Sequence, residues 1–292
     1  MVPSRSDLQI EVWVYRPETR GPWPVLVMGP GIGLVKSGGL PPFCRAFNAE
    51  GYAAISIDHL SFGGSQGTPR NVLDVDRELQ DYRDVIAWAR TQNMFDPEKV
   101  VSWGTSFGGM HAAALISEDH RLAASIAQCP VVDGFLASMM LPLSRSTPMM
   151  ALAIIDTVCS WFGMDAIYLT TAGNKNSRLA ILKAHDVEEG WARLMPEDGA
   201  PFLNQIAARS LLSIITHRPV LRTHKSTKPF LVVSTEYDTV APLSAAKKAV
   251  KNAPLGEIVV IPGGHFDLYK GGLGFDKNIS AQLEFLKRVV PI

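Results

Sequence analysis

The stretch VVSWGTSFGGM, Val100 to Met110, joins an apolar run to a glycine-rich turn that contains one serine. Gly104, Ser106 and Gly108 form the pattern G-x-S-x-G between a strand-like run and the helix-forming sequence MHAAALIS. Glycine at these two places lets a strand and a helix pass closely, and the start of the helix offers N–H groups to a developing negative charge. The stretch therefore predicts a strand–turn–helix unit that presents Ser106 as a nucleophile, with a purely structural turn as the alternative.

Similar apolar runs recur outward from this stretch, and helical patterns separate them. QIEVWVY alternates in polarity, which is typical of an edge strand. The continuous runs are PVLVMG (24–29), YAAISID (52–58), KVVSWG (99–104), LAASIAQCP (122–130), PFLVVSTEYD (229–238) and GEIVVIPGGH (256–265). Continuous apolar runs are typical of strands buried on both faces. The order predicts an α/β fold, a doubly wound and mostly parallel sheet with helices on both faces.

One segment, residues 134–228, interrupts this alternation. It is rich in Met, Leu, Ala and Trp at helical spacing and contains no clear buried strand. We therefore expect a core formed by residues 1–133 and 229–292, with residues 134–228 inserted as a helical cap over the carboxyl edge of the sheet. Methionine suits irregular apolar pockets, so such a cap could roof an apolar acyl pocket. The candidate pocket residues are Met139, Met149, Trp161, Phe162 and Trp191.

A serine hydroxyl needs a base, and the base needs a third group that orients it. Asp238 ends one late strand-like run and His265 follows the next, so the order along the chain is Ser106, Asp238, His265. This order matches what the strand–turn–helix motif requires of its partners. We predict that these three residues are catalytic. The alternative acids are Glu236, Asp267 and Asp133, of which Asp133 is better explained as a turn or cap residue.

Several motifs carry a resemblance to a known family. They are GPGIG (29–33), DHLSFGGSQG (58–67), GTSFGG (104–109), EYDTVAP (236–242) and GGHFDLY (263–269). With them, nearly the whole chain resembles the α/β-hydrolase fold enzymes. WGTSFGGMHA, AQCPVVDG and GGHFDLYKG look like a dienelactone-hydrolase-like branch that includes fungal polyketide transferases and toxin-cluster esterases.

The resemblance implies an oxyanion hole, formed by the backbone N–H groups of Ile32 and Phe107. Pro30 stands where the family commonly has a histidine in this loop. The resemblance also implies a serine esterase, thioesterase or acyltransferase of secondary metabolism that acts on an apolar, polyketide-like acyl group and needs no cofactor. A C–C bond hydrolase, a lyase or a cyclase could use the same three residues. A non-catalytic binding protein is a further alternative, which the complete triad disfavours.

The amino-acid composition limits the kinds of molecule that this protein is expected to bind. The chain has 292 residues, with 28 basic and 28 acidic residues, so its net charge is zero. No global field then favours nucleic acid or an anionic membrane, and neutral small molecules become the natural ligands. We predict no membrane span and no secretory signal peptide. A carrier protein and a homodimer stay open as partners.

The cysteines and histidines bear on compartment and metal binding. Three cysteines without a CxxC pair fit a reducing, cytoplasmic compartment. The seven histidines form no motif of metal-ligand spacing, so we predict no metal site.

Overall fold

The computed structural model describes residues 1–174, 176–196 and 202–292. The strands are β1 Val2–Pro3, β2 Gln9–Ile10, β3 Val12–Tyr15, β4 Trp23–Gly29, β5 Ala53–Ile57, β6 Phe95–Thr105, β7 Ala124–Gln128, β8 Tyr168–Ala172, β9 Ala180–Leu182, β10 Gln205–Ala207, β11 Phe230–Thr235 and β12 Gly256–Ile261. The α-helices are α1 Pro41–Ala49, α2 Val75–Ala89, α3 Phe107–Leu115, α4 Gly134–Met139, α5 Leu143–Trp161, α6 Val187–Ala192, α7 Ser210–Thr216, α8 Leu243–Asn252 and α9 Phe275–Val289.

The central sheet has the strand order β12-β11-β7-β6-β4-β5-β3. Every neighbouring pair in it is parallel except β3 with β5, which is antiparallel and lies at one edge. The predicted α/β fold with a mostly parallel sheet is confirmed. The continuous apolar runs are the strands of this sheet, and the alternating run supplies its antiparallel edge.

The two faces of the sheet bury two separate cores, because successive side chains of a strand point to opposite faces. Val25 and Val27 of β4 contribute to the core beneath α2, α3 and α8. Leu26 and Met28 of the same strand contribute to the core beneath α1 and α9. A strand that is buried on both sides therefore has no polar face, which explains its continuous apolar sequence.

The segment between β7 and β11 differs from the expected helical insertion. It holds α4 to α7, but also a small sheet of order β10-β8-β9. Met149, Ala153, Leu169, Ala208 and Leu211 form a separate small core there. The sequence did not reveal these strands because they are three to five residues long and only partly buried, so no continuous apolar run marks them.

No helix in the described ranges combines the length and the apolar character needed to cross a bilayer. The longest apolar run of the sequence lies in α5, where Asp156 is fully buried.

Candidate active site

Ser106 occupies a strained turn between β6 and α3. Its backbone has φ 54° and ψ −111°, a conformation that is costly for a residue with a Cβ atom. The close passage of strand and helix explains the neighbouring glycines. A Cβ atom at Gly104 would lie 1.9 Å from the carbonyl oxygen of Gly108, and one at Gly108 would lie 2.4 Å from that of Gly29. The chain thus holds Ser106 at the carboxyl edge of the sheet by geometry that only small residues allow.

The structure brings His265 and Asp238 to Ser106 from two other strands. His265 begins a short 3-10 helix after β12, and its Nε2 lies 3.1 Å from Ser106 Oγ. Its Nδ1 lies 2.9 Å from both carboxylate oxygens of Asp238, in the turn after β11. Asp238 Oδ1 also accepts hydrogen bonds from the N–H groups of Val240 and Ala241, at 2.9 and 2.6 Å. The carboxylate is therefore fixed in position before it orients the imidazole.

Two opposing effects set the pKa of His265. Burial lowers it, since the charged imidazolium loses water, but the adjacent Asp238 carboxylate and, after it, Cys129 together outweigh burial. The result is a pKa well above the ordinary value of 6.5. His265 is therefore a stronger base than a free histidine, which suits a group that must take a proton from a serine hydroxyl.

The other candidate acids lie elsewhere. Glu236 is exposed. Asp267 accepts a hydrogen bond from Gly264 N–H at 2.8 Å, within its own turn. Asp133 caps α4 through Leu136 N–H and pairs with Arg218 at 2.8 Å. The interpretation of Asp133 as a cap residue is confirmed.

The loop after β4 lies directly against Ser106. A Cβ atom at Gly31 would lie 3.5 Å from Ser106 Cβ. Ile32 and Phe107 both line the cavity beside Ser106. Phe107 is the first residue of α3, so its N–H has no acceptor within the helix. The carbonyl oxygen of Pro30 accepts a hydrogen bond from Gly108 N–H at 3.0 Å and so ties this loop to the start of α3.

A cavity of about 950 Å³ opens beside Ser106. Met139 and Met149 lie on its wall, as expected. The other three candidate pocket residues do not lie on this wall. Trp161 and Phe162 are 75% and 78% exposed at the end of α5, and Trp191 packs against Phe202 away from the cavity. Helical spacing predicts which residues share a face of a helix. It does not predict which face packs against the rest of the protein.

A buried polar cluster lies behind α3, away from the cavity. His59, Glu78 and His111 could by their donor types hold a metal ion, and their ligand atoms lie within 4.8 Å of one another. Glu78 Oε2 lies 2.7 Å from His111 Nε2, and His59 Nδ1 lies 3.2 Å from Asp81 Oδ2, outside the cluster. The other two ring nitrogens, His59 Nε2 and His111 Nδ1, are buried without a hydrogen-bond partner among the described residues. Within the cluster, the hydrogen bond between Glu78 and His111 joins α2 to α3. Its members are far apart in sequence, so no motif could have revealed it.

Comparison with known proteins gives a family and several relatives for this chain. The family model described as X-Pro dipeptidyl-peptidase (S15 family) matches residues 7–267. The quorum-quenching protein AidA of Acinetobacter baumannii is 37% identical over 98% of this chain and 93% of its own length. The polyketide transferase grgF of a Penicillium species is 26% identical over 97% of this chain and 93% of its own length. The crystal structure of the α/β hydrolase GrgF from Penicillium sp. sh18 superimposes with a TM-score of 0.82 at 24% identity, covering 99% of this chain and 97% of that one.

Fold and site together define an α/β hydrolase, an enzyme of the hydrolase or acyltransferase type. Within that class, the chain belongs to the S15 family. The resemblance to fungal polyketide transferases is also confirmed.

Proposed function

We propose that this chain cleaves an ester or thioester of an apolar acyl group through an acyl-enzyme on Ser106. The observation that carries the proposal is the 3.1 Å distance between Ser106 Oγ and His265 Nε2, at the wall of a large apolar cavity. Residues 134–228 act as a lid in this proposal, because most of the cavity wall comes from them.

Each residue of the proposed site has its own role in the reaction. Ser106 Oγ attacks the carbonyl carbon while His265 takes its proton, and Asp238 stabilises the imidazolium. The N–H groups of Ile32 and Phe107 stabilise the oxyanion. His265 then gives the proton to the departing alcohol or thiol, which leaves the acyl group on Ser106. Water or an acceptor alcohol, deprotonated by His265, attacks the acyl-enzyme and releases an acid or a new ester, while His265 returns the proton to Ser106 Oγ.

Intact mass after treatment with a fluorophosphonate probe tests the nucleophile. Attack by Ser106 expels fluoride, so we expect one adduct on the wild type and none on Ser106→Ala. Ser280→Ala is the matched control, because Ser280 is exposed on α9 and far from the cavity wall. An adduct that persists on Ser106→Ala would refute the assignment.

The relatives point to two outcomes for the acyl-enzyme. The relative at 37% identity is named a quorum-quenching protein, which favours hydrolysis of a small signal molecule. Others are named polyketide transferase or acyltransferase, which favours transfer. To distinguish hydrolysis from transfer, the products of a single acyl ester are measured with and without an acceptor alcohol. A constant yield of free acid indicates hydrolysis, whereas a new ester at the expense of the acid indicates transfer.

A further inference from the structure

The cavity wall is apolar except for a few polar side chains, and two of these are cations. Arg145 of α5 and Lys183, just after β9, both line the cavity. No aspartate or glutamate lies on the wall within the part of the chain that the structure describes. Two positive charges therefore face an apolar space that also contains Ser106, with no carboxylate on the wall to balance them.

The contacts of both cations are to neutral atoms. Arg145 Nη2 donates to the carbonyl oxygens of Ala180 and Ile181, and Lys183 Nζ donates to that of Ser177 at 2.7 Å. Arg145 Nε is buried without a hydrogen-bond partner in the described residues. Arg145 as a whole is half-buried, and this burial lowers the pKa of its guanidinium. A buried donor without a partner has a free-energy cost that a ligand acceptor would remove.

Both cations belong to residues 134–228, the segment that also supplies most of the cavity wall. Arg145 reaches from the first turn of α5 to the backbone of β9, so α5 and the strand that leads to Lys183 are held together. An anion placed there would also meet the positive end of the α5 dipole. Arginine and lysine are the side chains that bind carboxylate and phosphate groups in proteins.

We propose that the substrate carries an anionic oxygen group, a carboxylate or a phosphate, and that Arg145 and Lys183 bind it. This inference rests on the proposed function, since it adds a charged group to the acyl substrate of Ser106. The anion has two sources. It is a carboxylate at the end of the acyl chain, or a phosphate on the leaving group of a thioester.

Two matched substrate pairs distinguish these sources. The first pair is p-nitrophenyl hexanoate and mono-p-nitrophenyl adipate, which differ by a terminal carboxylate on acyl chains of equal length. The second pair is S-hexanoyl pantetheine and its 4′-phosphate. For each pair, kcat/KM is measured with the wild type, Arg145→Met, Lys183→Met and the charge-retaining Arg145→Lys. Lys251→Met is the control, because Lys251 is exposed on α8 and does not line the cavity.

For the pair that contains the true source, we expect each Met variant to reduce the charged-to-neutral ratio of kcat/KM by about 10- to 100-fold, the value of a charge-assisted hydrogen bond. Arg145→Lys should retain most of the ratio, and Lys251→Met all of it. Equal losses for charged and neutral substrates would mean that the two cations only hold the lid in place, and would overturn the proposal. An unchanged ratio in both pairs would overturn it as well.

A binding measurement separates failure of this inference from failure of the proposed function. Adipate monoester and hexanoate ester are titrated calorimetrically into Ser106→Ala, with and without Arg145→Met or Lys183→Met. Tighter binding of the charged ester that either Met substitution abolishes supports the anion site even if no substrate is turned over. Turnover of the neutral substrates, with an unchanged charged-to-neutral ratio in both substrate pairs, supports the Ser106 chemistry and rejects the anion site.

Discussion

At the scale of single residues, the site depends on side chains that fix one another's orientation. The turn holds Ser106, His265 faces it, and Asp238 faces His265 with its carboxylate secured by two backbone N–H groups. Each contact restricts the next, so the proton acceptor is ready before substrate arrives. The backbone of Ser106 is strained, with a positive φ. It is held there in part by the hydrogen bond that Ser106 N–H donates to the carbonyl oxygen of Gln128, at 2.8 Å.

Asp238→Asn should reduce kcat by about a thousandfold or more, because the amide cannot stabilise the imidazolium. The same substitution should also change the pH at which kcat/KM falls on the acidic side. His265 must be neutral to act, and its pKa in the wild type is well above 6.5, so activity falls as pH drops through that raised value. Without the Asp238 carboxylate, the largest influence that raises the pKa of His265 is lost, so the fall in kcat/KM shifts to lower pH.

The measurement is kcat/KM across the histidine pH range, with Glu236→Gln as control, since Glu236 is exposed and two residues away. If kcat/KM falls at the same acidic pH in Asp238→Asn and in the wild type, Asp238 is not the partner of His265.

At the scale of elements, one buried ion pair secures the segment between β7 and β11. Asp156 of α5 is fully buried and accepts hydrogen bonds from Arg209 Nε at 2.8 Å and from its backbone N–H at 2.8 Å. It also accepts from Ile167 N–H at 2.8 Å, just before β8. One carboxylate therefore joins α5, the small sheet and the start of α7. The polar residue that interrupts the apolar run of α5 is a structural anchor.

Asp156→Ala should lower the free energy of unfolding by about 3 kcal/mol, because it leaves the Arg209 side chain, which is only 17% exposed, without its partner. Burial raises the pKa of Asp156, but Arg209 and the two backbone N–H groups outweigh this and hold it below its usual value. The stabilisation is therefore complete above the unfolded-state pKa and is lost as pH falls through the lower folded-state value.

Urea denaturation at neutral and acidic pH measures both effects, and the difference between variant and wild type should shrink in acid. Asp165→Ala is the control, because Asp165 is exposed close by. A similar urea midpoint for Asp156→Ala and the wild type at neutral pH would count against the anchor.

At the scale of the whole molecule, the cavity exists only because core and inserted segment meet. Ser106, Ile32 and Phe107 come from the carboxyl edge of the central sheet, and Met149 and Arg145 come from α5. The wall facing Ser106 is therefore apolar over most of its area, with charge at a few points. In the function that we propose, the inserted segment sets the length and charge of the substrate, and the core carries out the chemistry.

The size of the cavity, about 950 Å³, predicts a dependence on acyl length. From acetyl towards dodecanoyl esters, kcat/KM should rise about fourfold per methylene until the cavity is full, since each buried CH₂ contributes about 0.8 kcal/mol. Met150→Trp should move the plateau to shorter chains, because Met150 lines the wall and a larger side chain would occupy that space. A p-nitrophenyl ester series measures this, and rates independent of length would show that the acyl chain lies outside the cavity.

The sequence by itself determined the parts of this protein that depend on local pattern. Apolar runs marked the buried strands, and G-x-S-x-G marked the turn at Ser106, because the close passage of strand and helix excludes a Cβ atom at Gly104 and Gly108. The order of Ser106, Asp238 and His265 followed from the strands that they end.

Only the tertiary structure decided which distant side chains share a space. It turned Trp161 and Phe162 outward, placed three short strands in the inserted segment, and brought Arg145 and Lys183 to the cavity wall. The physical reason is that periodicity encodes whether a residue is buried, whereas the identity of its neighbours depends on how separate elements pack.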